Sequence, residues 1–311
     1  MGNYPSPYTH TILSQQFTPE FLKEVFELAD KIRANPKEYQ DALRGKVVAT
    51  LFYEPSTRTR LSFESAIAKL GGAVISTENA REASSASKGE TIEDTIRIIS
   101  MYADMIVMRH YEDDASLKAL ATVSVPLINA GSGRSQHPTQ ALLDVYTIWR
   151  ERGTVEDLEI SVVGDLLNGR TCDSLVYVLA KFPGNTFNFV APDNCSLKEG
   201  LKEHLEENKV EFKEHKAIED IIETTDVLYM TRVQKERFGD EKEYEKAAGQ
   251  YILTKGLVER MKKDAIILHP LPRVDEIAVE ADLDSRAKYF EQAQNGLWVR
   301  MALLVILARR N

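Results

Sequence analysis

Short, uninterrupted apolar segments alternate with amphipathic segments along most of this chain, and that alternation limits the folds open to it. The apolar segments predict strands at 46–52, 73–77, 104–108, 125–129, 159–163, 186–190, 210–212, 226–230 and 265–268. The amphipathic segments between them predict helices at 59–70, 91–102, 114–122, 138–151, 169–182, 198–207, 216–223 and 255–262. Strands that are apolar at successive positions are typical of parallel sheets covered on both faces. The sequence therefore predicts an α/β protein with doubly wound parallel sheets.

Two further helices are predicted outside this series. The first begins at Thr18-Pro19, a capping residue followed by proline in the first turn, and the last covers about 294–309. At 311 residues the chain is long for one core, so two domains are expected. A glycine loop and a long helix within 131–152 mark the boundary between them.

Composition excludes several classes of protein. The net charge of −9 argues against nucleic acid as the main partner. Charges interrupt every apolar segment, so no membrane span is expected, and the N-terminus lacks the features of a secretory signal. Cys172 and Cys195 form no disulfide framework, which indicates a reducing, cytoplasmic setting. The six histidines show no metal-ligand spacing, so no metal is predicted.

Residues 56–60 read Ser-Thr-Arg-Thr-Arg and lie where the first predicted strand gives way to a helix. They combine hydroxyls, guanidiniums and the N–H groups of a helix N-terminus. An anion is bound by such donors, by the positive end of the helix dipole and by a bidentate guanidinium. The alternative is an ordinary hydroxyl cap beside two solvated arginines. We favour a phosphate site because other polar motifs also follow strands.

Ligands bind at the carboxyl ends of strands in parallel sheets. The motifs found there are Arg109-His110, His137 with Gln140, Arg232 with Gln234, and residues 269–273. Each motif also has a purely structural interpretation. In the same order, these are an arginine that reaches water, a capping histidine, a solvated loop and a rigid proline connector. Lys88 lies in a loop of small residues, 78–90, which suits a flexible segment that reaches a distant anion or simply a solvated loop.

Residues 164–171 nearly match the P-loop of nucleotide-binding proteins, but Arg170 occupies the lysine position. Guanidinium is a poor substitute for the compact lysine ammonium, so a P-loop kinase is a weak alternative. No Gly-x-Gly-x-x-Gly segment follows a strand. A dinucleotide is therefore not expected, and no other cofactor is indicated.

In this order, the motifs resemble those of the aspartate carbamoyltransferase family, specifically its catalytic chain, and the resemblance runs essentially end to end. The matching segments are 56–60, 84–90, 109–110, 137–140, 169–171, 230–234 and 269–273. Ornithine carbamoyltransferases share the first motif and the His-Pro-Thr-Gln motif, but usually have His-Cys-Leu-Pro where this chain has His-Pro-Leu-Pro. They also need a carboxylate for the ornithine side-chain cation, where this chain offers Arg232 and Gln234.

The resemblance implies two domains of the carbamoyltransferase fold, joined by interdomain helices. Residues 1–134 would bind carbamoyl phosphate, 135–152 would form the interdomain helix, and 153–290 would bind aspartate. The last helix, 291–311, would return to the first domain. Closure of the two domains is expected, with Glu54 and Arg237 as candidates for a closing contact.

The resemblance also implies a role for each site residue. The phosphate would be held by Ser56, Thr57, Arg58 and Thr59. The carbamoyl oxygen would be polarised by Arg109, His137 and Thr59. The carbamoyl NH2 would be fixed by Gln140 and by the carbonyls of Leu271 and Pro272. Aspartate would be bound by Ser84, Lys88, Arg170, Arg232 and Gln234. The residues expected to be catalytic are Arg58, Thr59, Lys88, Arg109 and His137.

In that family Ser84 and Lys88 reach the site of the adjacent subunit, so the resemblance implies a homotrimer with shared active sites. A separate regulatory chain is a possible further partner. The expected reaction is transfer of the carbamoyl group from carbamoyl phosphate to L-aspartate, a step of pyrimidine biosynthesis. The alternatives are an ornithine carbamoyltransferase and a non-catalytic, anion-binding subunit of the same fold.

Overall fold

The computed structural model describes residues 5–80 and 89–310. The strands in these ranges are β1 (Val47–Phe52), β2 (Ala73–Glu78), β3 (Met105–His110), β4 (Leu127–Ser132), β5 (Glu159–Val163), β6 (Thr186–Val190), β7 (Glu211–His215), β8 (Val227–Met230) and β9 (Ile266–Leu268). The helices are α1 (Pro19–Ala34), α2 (Thr57–Lys69), α3 (Ile92–Ile99), α4 (Ala115–Ala119), α5 (Pro138–Arg152), α6 (Arg170–Leu179), α7 (Glu199–Glu207), α8 (Glu241–Ala247), α9 (Lys255–Arg260) and α10 (Tyr289–Arg310).

The first of two compact units comprises Met1–Leu143 and Gln294–Asn311. Its sheet has four strands in the order β2-β1-β3-β4, and every neighbouring pair is parallel. Its core includes Ala49 of β1 and Ile106 and Met108 of β3, which are buried in one apolar cluster with Ile96 of α3. The central strands are thus covered, as their continuous apolar character predicts.

The second unit comprises Asp144–Ala293. Its sheet has five strands in the order β7-β6-β5-β8-β9, again with every neighbouring pair parallel. Val163, Leu228 and Ile267, from three of these strands, share an apolar cluster with residues of α9 and with Tyr289. The chain passes between the two units within α5 and again within α10.

These two parallel sheets confirm the predicted fold class. The cap of α1 also forms as expected, since the Thr18 hydroxyl accepts the N–H of Phe21 at 3.2 Å and Pro19 is the first helical residue. The first division between the units, at Leu143, falls inside the segment 135–152 that the sequence predicts as the interdomain helix.

The predicted helix over 216–223 is wrong, because only a 3₁₀ turn, Ile218–Asp220, forms there. The segment and the residues after it are rich in β-branched side chains, which lower helix propensity. In addition, the Thr225 hydroxyl donates to the Ile221 carbonyl at 2.9 Å. That bond offers the backbone an alternative to a continued helix.

Other helices also differ from the sequence prediction. The charged stretch 235–250, which lies outside the predicted helices, contains α8, whose first turn is capped by Asp240 through the N–H of Lys242 at 3.0 Å. The last helix begins at Tyr289, ahead of the predicted start at 294. Among the described residues, no helix is long and apolar enough to cross a membrane.

Candidate active site

The carboxyl ends of β1 and β3 define a crevice in the first unit. These strands are neighbours, with Phe52 in register with Arg109, while β2 and β4 lie on their outer sides. Strand order therefore reverses between β1 and β3, and ligands of doubly wound sheets bind at such a reversal. Residues 56–60 follow β1 and Arg109 lies near the end of β3, so both motifs reach this crevice.

The N-terminus of α2 carries the predicted phosphate ligands. Ser56 precedes the helix, and its side chain makes no capping hydrogen bond to the first turn. Thr57 and Arg58 are exposed, whereas Thr59 is buried. The N–H groups and dipole at this end of a 13-residue helix favour a bound anion.

Arg60, the second arginine of the motif, is engaged with carboxylates. Its guanidinium lies 2.7 Å from Glu78 of β2 and 3.7 Å from Glu64 of its own helix. The hydroxyl of Thr50 also donates to Glu64 at 3.0 Å. Arg60 therefore stabilises the packing of α2 beside the sheet, and the two arginines of the motif have different surroundings.

Arg109 is held by residues that follow β1. Its guanidinium lies 3.1 Å from the Glu54 carboxylate, and its side chain is only 12% exposed. The main-chain N–H of Tyr53 donates to the Arg109 carbonyl at 2.9 Å, which extends the strand pairing beyond β1. An anion that enters the crevice would have to compete with Glu54 for the N–H donors of this guanidinium.

His137 and Gln140 are both buried at the start of α5, where Pro138 is the first helical residue. The N–H of Gln140 donates to the His137 carbonyl at 2.9 Å. The preceding turn needs glycine at position 133, because φ is +43° and a Cβ there would lie 1.9 Å from the Asp113 carboxylate. The turn thus places both residues shortly after the carboxyl end of β4.

His110, which follows Arg109, has a structural environment. Its Nδ1 accepts the N–H of Glu112 at 3.0 Å, and its ring stacks on Tyr111 with centroids 4.3 Å apart. Burial lowers the pKa of His110 below its usual value, so the ring is neutral at pH 7. Its role is to shape the end of β3.

In the second unit, strand order reverses between β5 and β8. Gly164 directly follows β5 and has φ +124°, and a Cβ there would lie 2.2 Å from the Thr231 carbonyl oxygen. Only glycine allows the two loops to approach this closely. Arg170 is the first residue of α6, and Arg232 and Gln234 follow β8, so the predicted aspartate ligands lie at this reversal.

The loops after β5 and β8 are joined through Asn168. Its carbonyl accepts the main-chain N–H of Arg170 and the side-chain amide of Gln234, both at 3.0 Å. Buried Asp165 accepts the N–H of Asn168 at 2.9 Å and that of Gln234 at 3.3 Å. Asp165 was not predicted from the sequence, although a carboxylate directly after a buried strand and a glycine is a signal for such a role.

Arg232 lines a cavity of about 190 Å³ in the second unit. The remaining wall is mostly polar or small and includes Gly164, Thr231, Lys235, Tyr244 and Glu276. The cavity is large enough for a small amino acid, and Arg232 suits a carboxylate group. Lys235 lies 2.6 Å from Glu241, and the acidic wall residues are Asp275 and Glu276. The acidic Glu276 is engaged by other groups of its own loop.

The segment after β9 is fixed by His269 and Glu276. His269 Nδ1 accepts the N–H of Leu271 at 2.7 Å, and its Nε2 lies 2.6 Å from Glu276. The other Glu276 oxygen accepts the N–H groups of Val274 and Asp275, both at 3.1 Å. Leu271, whose carbonyl is a predicted ligand with that of Pro272, has φ +55°.

A second set of buried groups holds the start of the same segment at His269. The main-chain N–H of His269 donates to Gln292 of α10 at 2.9 Å. The Gln292 amide donates to Asp144 at 2.5 Å, and Asp144 also accepts the Tyr229 hydroxyl at 2.8 Å. Burial, with the Asp144 charge, raises the pKa of Tyr229 well above its usual value, so its hydroxyl stays a donor.

Two predicted ligands, Ser84 and Lys88, lie outside the described residues. Within 5–80 and 89–310, no group of three or more His, Cys, Asp or Glu side chains is arranged to hold a metal ion. The other predicted residues fall into two sets. Ser56 to Thr59, Arg109, His137 and Gln140 lie in the first unit, and Arg170, Arg232, Gln234, Leu271 and Pro272 lie in the second.

The chain is thus an α/β protein with two parallel sheets, each with arginines at the reversal of strand order, an arrangement suited to small anions. Residues 9–150 match the aspartate/ornithine carbamoyltransferase, carbamoyl-P binding domain, and residues 156–307 match the Asp/Orn binding domain of the same family. The chain belongs to the aspartate/ornithine carbamoyltransferase family.

Individual relatives are named aspartate carbamoyltransferase. The chain is 52% identical to chloroplastic aspartate carbamoyltransferase of Arabidopsis thaliana, over 95% of this chain and 77% of that protein. It is 51% identical to the aspartate carbamoyltransferase catalytic subunit of Clostridium acetobutylicum, over 94% and 95% of the two chains.

Solved structures give the same result. The catalytic subunit of M. jannaschii aspartate transcarbamoylase is 46% identical, with a TM-score of 0.89 over 97% of this chain and 99% of that one. Trypanosoma cruzi aspartate transcarbamoylase in complex with carbamoyl phosphate and aspartate is 35% identical, with a TM-score of 0.90 over the same shares.

Proposed function

We propose that this chain transfers the carbamoyl group of carbamoyl phosphate to the α-amine of L-aspartate. The products are N-carbamoyl-L-aspartate and phosphate, and the reaction is a step of pyrimidine biosynthesis. The observation that carries the proposal is the presence of anion-binding side chains at both reversals of strand order, Arg58 and Arg109 in one unit and Arg170 and Arg232 in the other. A dianionic acyl phosphate and a dicarboxylate suit these arginines.

In the first unit, the phosphate accepts hydrogen bonds at the N-terminus of α2 from Ser56, Thr57, Arg58 and Thr59. Arg109 and His137, with Thr59, donate to the carbamoyl oxygen. These donors stabilise the negative charge that the oxygen gains as the amine attacks. Gln140 accepts from the carbamoyl NH2 and so sets the orientation of the acyl group.

In the second unit, Arg170 and Arg232 bind the two carboxylates of aspartate, and Gln234 helps to orient them. The common anchor of Arg170 and Gln234 on the Asn168 carbonyl supports this role, because it fixes the spacing of the two loops. The main-chain carbonyls of Leu271 and Pro272 accept from the carbamoyl NH2. Ser84 and Lys88 complete the aspartate site from a neighbouring subunit.

In the reaction, the neutral amine forms a C–N bond to the carbamoyl carbon, and the C–O bond to phosphate breaks. The departing phosphate accepts the amine proton, so the reaction needs no protein base. His137 acts as a hydrogen-bond donor in this scheme. Most of the acceleration comes from orientation of the two substrates, which is worth about 7–11 kcal/mol in favourable cases.

We propose a homotrimer as the active assembly, with a separate regulatory chain as a possible partner. The first unit exposes large apolar side chains at the end of α3 and on α2, notably Met101 at 70%, Tyr102 at 64% and Leu61 at 51%. Exposed apolar side chains in a charged protein are suited to burial between subunits. Light scattering of the purified chain tests the mass, and a monomer that is fully active would contradict the trimer.

A reducing compartment such as the cytoplasm is also proposed. Cys172 and Cys195 are both free and buried, and burial raises the pKa of Cys195 to about 12. The Arabidopsis relative is named as chloroplastic, so the compartment can differ within the family. Localisation of the tagged chain in its own cell tests this point.

The two arginines of the first motif give a matched test of the phosphate site. Arg58→Gln removes a proposed ligand, whereas Arg60→Gln removes an arginine that pairs with Glu78 and Glu64. Arg58→Gln is expected to raise the KM for carbamoyl phosphate at least 100-fold, and Arg60→Gln less than about threefold. Equal effects of the two substitutions would contradict the assignment.

A further inference from the structure

His269 belongs to no predicted ligand set, yet it is almost fully buried and both of its ring nitrogens are engaged. The N–H of Leu271 points at Nδ1, so that nitrogen must be the acceptor. The proton therefore resides on Nε2, which donates to Glu276. A neutral imidazole with a fixed tautomer thus joins the main-chain N–H of Leu271 to the carboxylate of Glu276, which follows His269 by seven residues.

Leu271 needs such support because its backbone is strained. A φ of +55° is uncommon for a residue with a branched side chain, and such a conformation persists only where surrounding contacts determine it. The N–H of Leu271 is held by His269 Nδ1. The far side of the loop is fixed by Glu276 through the N–H groups of Val274 and Asp275.

We propose that His269 is a positioning residue that orients the Leu271 and Pro272 carbonyls toward the NH2 of the carbamoyl group. The inference rests on the proposed function. In this proposal, the His269–Glu276 pair holds the loop so that its carbonyls recognise the NH2 hydrogens of carbamoyl phosphate. The pair itself contacts no substrate and acts only through the main chain of the loop.

Acetyl phosphate is the probe that isolates this role. It keeps the phosphate and the carbonyl oxygen of carbamoyl phosphate, but a methyl group replaces the NH2. It therefore cannot donate to the Leu271 and Pro272 carbonyls. If the loop is displaced, the binding of carbamoyl phosphate should weaken. The Ki of acetyl phosphate, used as a competitive inhibitor, should stay almost unchanged.

Two substitutions separate the two bonds of the ring. His269→Gln keeps a donor that reaches Glu276 but loses the acceptor for the Leu271 N–H. His269→Asn keeps an acceptor at the position of Nδ1 but loses the donor to Glu276. His215→Gln is the control, since His215 lies on β7 of the same unit and bonds Asn188 at 2.9 Å.

His269→Gln is expected to raise the KM for carbamoyl phosphate about tenfold, the loss of roughly one hydrogen bond, while the Ki of acetyl phosphate changes less than twofold. His269→Asn should reduce the discrimination between carbamoyl phosphate and acetyl phosphate by less, and His215→Gln should not change it. Each variant is first checked for native circular dichroism and melting temperature.

An equal loss for both acyl phosphates in a folded His269→Gln protein, or no loss for either, would overturn the inference and leave the proposed function intact. If the wild-type chain transfers no carbamoyl group, the proposed function fails and the inference fails with it. The two failures are therefore distinguishable.

Discussion

The guanidinium of Arg109 lies 3.1 Å from the carboxylate of Glu54, within one unit and at the end of two paired strands. Both side chains are mostly shielded from water, so the pair is stronger than a fully exposed one. In the absence of ligand, Glu54 neutralises a cation that the proposed mechanism directs at carbamoyl phosphate. An incoming anion must compete with this carboxylate.

Glu54→Gln should therefore strengthen phosphate binding when aspartate is absent. The lost competition corresponds to about 0.5–1 kcal/mol, or roughly a two- to fivefold lower dissociation constant. Isothermal calorimetry with inorganic phosphate measures the change, and Arg60→Gln gives a control in the same motif. Weaker phosphate binding in Glu54→Gln would show that the carboxylate orients Arg109 and does not compete for it.

Gln234→Glu tests the junction of the loops after β5 and β8. The new carboxylate would face the Asn168 carbonyl and lie near buried Asp165, and it would repel the carboxylates of aspartate. The KM for aspartate should rise at least 100-fold, because an orienting donor becomes a repelling charge. The affinity for phosphate provides the internal reference and should change less than twofold. A selective loss of phosphate affinity would refute the assignment of Gln234.

Gly164→Ala tests the close approach of the same two loops. A methyl group there would lie 2.2 Å from the Thr231 carbonyl oxygen, at a φ of +124°. We expect a loss of about 2–4 kcal/mol in the free energy of unfolding. Gly200→Ala in α7 is the control, since a Cβ there would meet no neighbouring side chain within 4 Å, and it should be neutral or stabilising by about 0.5–1 kcal/mol. Urea unfolding of the two variants gives the comparison.

The pH dependence of stability should report on His269. Burial lowers the pKa of His269 despite the opposing bond to Glu276, whereas His269 and main-chain N–H groups lower the pKa of Glu276. Below about pH 6.5 the unfolded chain binds a proton at this histidine that the folded chain does not. Stability from this group is therefore present above pH 6.5 and lost as the pH falls.

The slope from one such group is at most about 1.4 kcal/mol per pH unit. His269→Asn should flatten the curve of urea midpoint against pH between about 7.5 and 5.5, relative to wild type. His215→Gln again serves as the control. A wild-type midpoint that rises on acidification through this range, with no change in His269→Asn, would contradict the sign of the shift.

Periodicity and strand-end motifs predict much of this molecule. The continuous apolar strands predict parallel sheets, and most of the polar motifs among the described residues then fall near the carboxyl end of a strand. Arg109 and residues 56–60 are one example, since they are far apart in sequence but lie at or after the carboxyl ends of neighbouring strands. The prediction of a helix over 216–223 was wrong. The spacing of its apolar residues is that of a helix, but its β-branched residues disfavour helix formation.

Other features depend on partners that periodicity does not reveal. Arg58 and Arg60 look alike in sequence, and the structure shows that Arg60 pairs with Glu78 on β2 and Glu64 on α2. Asp165 and His269 act through main-chain N–H groups whose directions are set by tight turns. Such roles require coordinates, because the spacing of side chains along the chain does not determine them.

The most direct test of the proposed function is a carbamoyl-transfer assay with L-aspartate and L-ornithine offered in parallel. The purified chain receives carbamoyl phosphate, with no ATP and with a chelator present, and both carbamoylated products are quantified. We predict N-carbamoyl-L-aspartate from the first reaction and no detectable product from the second. Product from ornithine, or no product from either while phosphate still binds, would contradict the proposal.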